Sequence, residues 1–164
     1  MKRVIFFRIM FFILTILVFA IIFCFSSQDG TESKNVSKGV MKLIVMVCPG
    51  TKNLDVTTQD EIIETSQPLI RKMAHFIIYM AAGFCIMGFL LTYDKEWKKI
   101  FFATIIVGML YAISDEIHQG ITGGGRTPRV FDVFVDTLGV IVGSFIITLM
   151  FKIIKKFRLN AKSC

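Results

Sequence analysis

Charged residues are scarce in this 164-residue chain, which has 19 Lys and Arg, 12 Asp and Glu and only two His. Hydrophobic residues make up 54% of the chain, and 17 residues are Phe. In an ordinary soluble domain about a quarter of the residues are charged, so the composition excludes an ordinary soluble enzyme. The high apolar content also excludes a disordered protein. We therefore expect a protein that crosses a membrane.

Cysteine is also sparse, and the four Cys form neither a disulfide framework nor a Cys-x-x-Cys motif. Cys85 lies inside an apolar run and Cys164 is the last residue, so we expect no disulfide. The zinc-protease motif His-Glu-x-x-His is missing as well. The usual sequence signatures of a zinc site are therefore absent.

Four apolar runs are long enough to cross a bilayer, which takes about 20 residues each. They cover residues 4–25, 73–91, 100–117 and 130–151, and a loop of residues 26–72 separates the first two. The first run resembles a signal peptide but is too long and lacks a small-x-small cleavage pattern, so we expect it to be retained. The sequence predicts an all-α polytopic membrane protein, with four transmembrane helices in a single domain of residues 1–164.

Basic residues are concentrated in short segments on the side of the membrane that holds both termini. They are Lys2, Arg3, Arg8, Lys95, Lys98, Lys99, Lys152, Lys155, Lys156, Arg158 and Lys162. Cytoplasmic segments next to spans are enriched in Lys and Arg, which predicts a multi-pass protein of the cell membrane with both termini cytoplasmic and loop 26–72 outside. The net charge of +7 is explained by topology and lipid head groups, and no nucleic-acid partner is expected.

Ionisable residues collect at the outer ends of spans two, three and four. They are Arg71, Lys72, His75, Asp115, Glu116, His118, Arg126, Arg129, Asp132 and Asp136. A charge at the centre of a bilayer costs at least about 2.5–3.5 kcal/mol, so such residues usually have a function. We expect one polar cavity at this end of the protein.

Helical spacing predicts which of these residues share a face. Arg71, His75, Tyr79 and Gly83 follow at steps of four, and Tyr111, Asp115 and His118 also share one face. Asp132 and Asp136 share a face with Gly139 and Gly143, a pair that is typical of close helix packing. The two acids should therefore point into the bundle.

Several chemistries fit this cluster. The charges balance, so pairing alone is one explanation. The candidate catalytic residues are His75, Asp115, Glu116, His118, Asp132 and Asp136. His118 with Asp115 or Glu116 would serve as an acid–base pair. The same His and Asp residues offer donors for zinc or manganese, but their spacing does not establish a metal site, and no cofactor is assigned.

A ligand-binding role and a transport role also fit the ionisable residues. The cations of the cluster suit the phosphate or pyrophosphate of a membrane lipid or of a lipid-linked cell-wall intermediate, and they are Arg71, Lys72, Arg126 and Arg129. Proton exchange at Asp132 or Asp136 would serve a transporter, but the cytoplasmic halves of these spans contain no acidic residue. The sequence does not set the oligomeric state.

The outer loop should contain surface helices that cover the cavity. Apolar residues between Val36 and Val47 recur at helical spacing opposite several Lys, and Cys48-Pro49-Gly50 ends that helix. Thr58-x-x-Glu61 is a capping box that predicts a second short helix to about Thr65, and Pro68 should break or kink the chain before span two.

The motifs, taken together, resemble those of the VanZ-like family. They are Phe25-Ser26-Ser27-Gln28, Arg71-Lys72-x-x-His75, Ser114-Asp115-Glu116-x-His118-Gln119, Gly125-Arg126 and Asp132-x-x-x-Asp136-x-x-Gly139. The resemblance adds Gln119 to the candidate ligand-binding residues. It implies a small bacterial membrane protein with a cell-envelope role, and the founding member is associated with resistance to the glycopeptide teicoplanin. Family members often have Pro-Gly-Arg where this chain has Gly124-Gly125-Arg126. A different function that fits the same residues is an acid–base or metal-dependent enzyme that acts on a lipid-linked substrate.

Overall fold

Five helices make up the fold. The structure is a computed structural model that describes residues 2–28, 30–93, 96–122 and 127–160, without the side chains of residues 30, 31 and 157–160. Its helices are α1 Lys2–Ser26, α2 Gly30–Val47, α3 Val56–Leu91, α4 Trp97–Thr122 and α5 Val130–Asn160, and these ranges contain no strand. Within the described residues, α1, α3, α4 and α5 are long and apolar enough to cross a membrane. The predicted all-α class with four spans is confirmed.

Helix α3 begins at Val56 because Asp55 caps it. The Asp55 carboxylate accepts hydrogen bonds from the backbone N–H of Thr58 at 3.0 Å and from its hydroxyl at 2.6 Å. The Thr57 hydroxyl also donates to this carboxylate. The hydrogen bonds from Thr57 and Thr58 favour the charged form and lower the pKa of Asp55. The prediction that Thr58 is the cap is therefore wrong, since Thr58 lies inside the helix.

The second loop helix does not end near Thr65, and this prediction is also wrong. Pro68 lies inside α3, which continues without interruption to Leu91. Proline removes a backbone hydrogen bond from a helix. Here Ile63, before the proline, and Ile70, after it, belong to one apolar cluster with residues of α2. We attribute the continuity of the helix to this packing on both sides of Pro68.

Helices α3 and α5 form the closest pair in the bundle. Gly139 and Gly143 of α5 lie against the backbone of α3 near Met80, and Gly83 of α3 lies against the backbone of Val140. A Cβ atom at any of these glycines would collide with the neighbouring main chain. The predicted packing role of Gly139 and Gly143 is therefore confirmed.

Polar side chains make contacts at both ends of the bundle. At the end that we call the cluster end, α1 finishes at Ser26 and α5 begins at Val130. At the opposite end, Arg8 donates to the carbonyl oxygen of Thr92 at 2.9 Å and lies over the Tyr93 ring. Each end thus holds polar contacts, while apolar side chains such as Phe102 and Phe145 are exposed between them.

Candidate functional site

Three acidic side chains are buried at the cluster end. Asp115 and Glu116 of α4 are 5% and 8% exposed, and Asp136 of α5 is 2% exposed. His75 of α3 lies beside them, with its Nδ1 atom 3.7 Å from Oδ2 of Asp136. One donor atom each from His75, Asp115 and Asp136 lies within 4.8 Å of the other two. We call these three residues the inner cluster.

Asp132 and Asp136 lie one helical turn apart on α5 but have different surroundings. The Asp132 Oδ1 atom is 2.8 Å from the Lys72 ammonium, and both side chains are 30% exposed. The Lys72 ammonium also lies 4.3 Å from the centre of the Phe131 ring. Pairing of opposite charges therefore accounts for Lys72 and Asp132, whereas Asp136 lies deeper, against His75.

Neutral donors hold Asp115. The hydroxyl of Ser26, which is fully buried at the end of α1, donates to Oδ1 of Asp115. The Gln119 amide donates to Oδ2 of Asp115 at 3.1 Å and to the Ser26 oxygen at 3.1 Å. No Lys or Arg of the described chain forms an ion pair with Asp115. Ser26 and Gln119 therefore fix the orientation of this carboxylate without neutralising it.

Glu116 is bound by the backbone rather than by a basic side chain. Its Oε1 atom accepts a hydrogen bond from the backbone N–H of Arg129 at 2.8 Å, just before α5 begins. This contact joins α4 to the start of α5 at the cluster end.

Tyr79 lies one helical turn below His75 and is fully buried. The rings of His75 and Tyr79 are 6.5 Å apart, and the Tyr79 hydroxyl lies within reach of the Asp115 carboxylate. Among the described residues no hydrogen bond of good geometry from this hydroxyl is found. Tyr79 therefore faces the inner cluster without a well-formed hydrogen bond.

His118 lies against α1 and not within the inner cluster. Its Nε2 atom is 3.1 Å from the Ser27 hydroxyl, and its ring stacks on Phe23 with centroids 4.7 Å apart. The face of α4 that carries Tyr111, Asp115 and His118 is therefore the face that contacts α1. The described geometry unites His75, rather than His118, with two carboxylates.

A polar cavity and an apolar groove meet at the cluster end. The cavity measures about 30 Å³ and is lined by Lys72, Glu116, Gln119, Asp132 and Asp136 together with Arg71 and His75. The groove measures about 160 Å³ and lies between α1, α2 and α3, with Ile22, Phe25, Val40 and Ile70 in its wall. Arg71 and His75 line both spaces.

Arg71 has no fixed partner at this junction. Its guanidinium makes no hydrogen bond or ion pair with any residue that the structure describes, in contrast to Lys72 beside it. Of the other two predicted anion-binding arginines, Arg126 lies outside the described residues, and Arg129 donates its backbone N–H to Glu116.

Two residues that contribute to the site were not among the predicted site residues. Ser26 is the polar end of an otherwise apolar helix, and Tyr79 lies on the same face of α3 as Arg71 and His75. Each therefore had a signal in the sequence, but that signal did not show which groups they contact.

Comparison with known proteins agrees with the motifs. The VanZ/LLP1 family profile matches residues 11–152, most of the chain and all four apolar helices in whole or in part. Among the curated proteins and the solved structures, no significant match is found. The chain is a multi-pass membrane protein, and because the match covers most of its length, it belongs to the VanZ/LLP1 family.

Proposed function

We propose that this protein acts at the outer face of the cytoplasmic membrane, where it binds the anionic head group of a lipid or of a lipid-linked cell-wall intermediate. Through that binding it serves the cell envelope and lowers sensitivity to glycopeptide antibiotics such as teicoplanin. The observation that carries the proposal is Arg71, which lines both the polar cavity and the apolar groove and forms no ion pair with any residue that the structure describes.

The shape of the junction supports an amphiphilic ligand. A groove lined by Phe25, Val40 and Ile70 suits a hydrocarbon chain, and it shares Arg71 with a cavity of charged side chains. A lipid combines the same two parts. An arginine fork binds phosphate through two parallel hydrogen bonds, and none of the described residues occupies the fork of Arg71.

The size of the cavity limits how deep the head group goes. A volume of about 30 Å³ is about that of a single water molecule. The phosphate would therefore stay outside the cavity and contact Arg71, while Lys72 is already engaged by Asp132.

The distribution of basic residues supports the orientation. Lys98, Lys99 and Lys152 lie at the end of the bundle opposite the cluster, as do the start of α1 and the end of α5. Because positive charge next to spans favours the cytoplasm, the termini are cytoplasmic and the cluster end faces outward.

The test compares Arg71→Ala with Lys38→Ala in the full-length protein. Lys38 lies on the same side of the membrane but pairs with Glu64 at 2.6 Å and lines neither space. Each variant is purified in mild detergent, and the bound lipid phosphorus is quantified. In parallel, the teicoplanin susceptibility of a sensitive host that expresses each variant is measured.

We expect Arg71→Ala to lose the bound phosphorus and any protection from teicoplanin, while Lys38→Ala retains both. Equal bound phosphorus in Arg71→Ala and the parent protein would contradict head-group binding at Arg71. Unchanged susceptibility on expression of the parent protein would contradict the glycopeptide role alone.

The His75–Asp136 contact favours a second candidate function, that of an enzyme acting on a lipid-linked substrate. A histidine held against a buried carboxylate is a common arrangement for proton transfer, and His75 borders the same groove as Arg71. If His75→Ala keeps the bound lipid but loses the phenotype, catalysis is supported. If it keeps both, catalysis at His75 is excluded.

A further inference from the structure

Two buried carboxylates and one imidazole come together in the inner cluster. Asp115 and Asp136 are almost fully buried, and one oxygen of each lies within 4.8 Å of the other and of a His75 nitrogen. Among the described residues no Lys or Arg forms an ion pair with either acid, and the Lys72 ammonium is engaged by Asp132. Carboxylates and imidazole are donor groups that divalent transition metals bind.

The distance between His75 and Asp136 is longer than a hydrogen bond. Nδ1 of His75 lies 3.7 Å from Oδ2 of Asp136, beyond the range of a good N–H···O bond. Two ligands at tetrahedral zinc, each about 2.0–2.2 Å from the metal, are separated by roughly 3.4 Å. The observed gap therefore suits two ligands of one metal ion better than a direct hydrogen bond.

Tyr79 is a second polar group that faces the inner cluster. It is fully buried, its hydroxyl lies within reach of the Asp115 carboxylate, and no hydrogen bond of good geometry from that hydroxyl is found in the described part of the chain. A buried polar group of this kind is normally satisfied by protein or by ordered water. A metal ion with its bound water would supply that partner.

We propose that His75, Asp115 and Asp136 bind a divalent transition-metal ion, with zinc as the preferred occupant. One imidazole and two carboxylates are zinc ligands, and three protein ligands leave a fourth position open for water or substrate. Water would reach that position from the polar cavity, which His75 and Asp136 line. The proposal concerns the inner cluster and does not depend on lipid binding at Arg71.

The neighbours of Asp115 fit this role. Metal-binding carboxylates are usually oriented by further hydrogen bonds, and loss of such a bond typically lowers metal affinity about 10–100-fold. Ser26 and Gln119 provide these bonds to Asp115. They are positioning residues and not ligands.

The test measures metal in the full-length protein purified in detergent. The protein is stripped with a chelator and loaded separately with zinc and manganese, and the bound metal is quantified by mass spectrometry. Cobalt(II) loading then reports the ligand environment through its visible absorption. We expect one tightly bound zinc per chain, and a cobalt spectrum that zinc displaces.

The chain supplies matched controls for each ligand type. His75→Ala is compared with His118→Ala, because these are the two histidines of the chain. Asp136→Asn is compared with Asp132→Asn, one turn away on α5 and paired with Lys72. We expect His75→Ala and Asp136→Asn to lose the zinc and the cobalt spectrum, while His118→Ala and Asp132→Asn retain both.

Either of two results overturns the proposal. The first is a stripped wild-type chain that binds neither zinc nor manganese stoichiometrically, which settles the matter even if a variant fails to fold. The second is full zinc content in His75→Ala and Asp136→Asn.

Discussion

A single buried hydroxyl links α1 to the inner cluster. Ser26 donates to Asp115 and accepts from Gln119, and it is fully buried. We expect Ser26→Ala to lower the free energy of unfolding by about 1–3 kcal/mol, because it removes a hydrogen bond to a buried carboxylate. Reversible unfolding in mixed micelles, followed by circular dichroism, measures this loss.

The adjacent serine is the control for that prediction. The Ser27 hydroxyl donates to the carbonyl of Phe23, lies 3.1 Å from Nε2 of His118 and is exposed. Because water can replace an exposed contact, Ser27→Ala should change the stability by no more than about 0.5 kcal/mol. Equal effects of the two substitutions would mean that the Ser26–Asp115 contact adds nothing to the stability.

For single residues, the sequence predicted the helix face on which a side chain lies better than it predicted which residues that side chain contacts. Steps of four placed His75, Tyr79 and Gly83 on one face of α3, and the structure buries Tyr79 and packs Gly83 against α5. The partner of each acid was not predictable, because a helix face does not specify which neighbouring helix it meets. For this reason His118, which shares a face of α4 with Asp115, contacts Ser27 and Phe23 of α1.

The close packing of helices α3 and α5 depends on the glycines at their contact. A Cβ atom at Gly143 would collide with the Met80 carbonyl on α3. Gly143→Ala should therefore force the helices apart and destabilise the protein by about 1–3 kcal/mol. It should also displace Asp136, two turns away on α5, from His75. Thermal unfolding in detergent tests the stability.

Gly39 of α2 is the matched glycine, because nothing lies within 4 Å of a Cβ atom built there. Gly39→Ala should stabilise α2 by about 0.5–1 kcal/mol, since alanine is the better helix former and meets no obstacle. If Gly143→Ala were as harmless as Gly39→Ala, close packing of α3 on α5 would be refuted.

The extent of α3 shows where local signals fail. Thr58-x-x-Glu61 has the pattern of a cap, but Asp55 lies three residues earlier and binds the Thr58 N–H itself. Pro68 is a strong helix breaker in sequence statistics. Packing of α2 against α3 around Ile63 and Ile70 is a tertiary effect that no window of sequence around Pro68 contains.

For the whole molecule, the sequence was sufficient for the spans because the bilayer itself sets their length. It was not sufficient for the groove, which α1, α2 and α3 form together. α2 is joined to α3 by Lys38–Glu64 and by the cluster around Val45, and this association positions the groove beside the inner cluster. The junction at Arg71 thus depends on how three consecutive helices pack together, which their separate sequence patterns do not specify.

The orientation of the molecule decides which side of the membrane the groove serves, and the chain's own cysteines test it. Cys48 is exposed just after α2, and Cys164 is the C-terminal residue. With the other three cysteines replaced by Ser, a Cys48-only protein should react with a membrane-impermeant maleimide in intact cells, because its loop is predicted to lie outside. A Cys164-only protein should react only after permeabilisation, since the basic residues next to the spans favour the cytoplasm on that side.

Labelling of Cys164 in intact cells, with Cys48 protected, would put Arg71 and the inner cluster on the cytoplasmic side. It would thereby refute action at the outer face while leaving the metal site untouched.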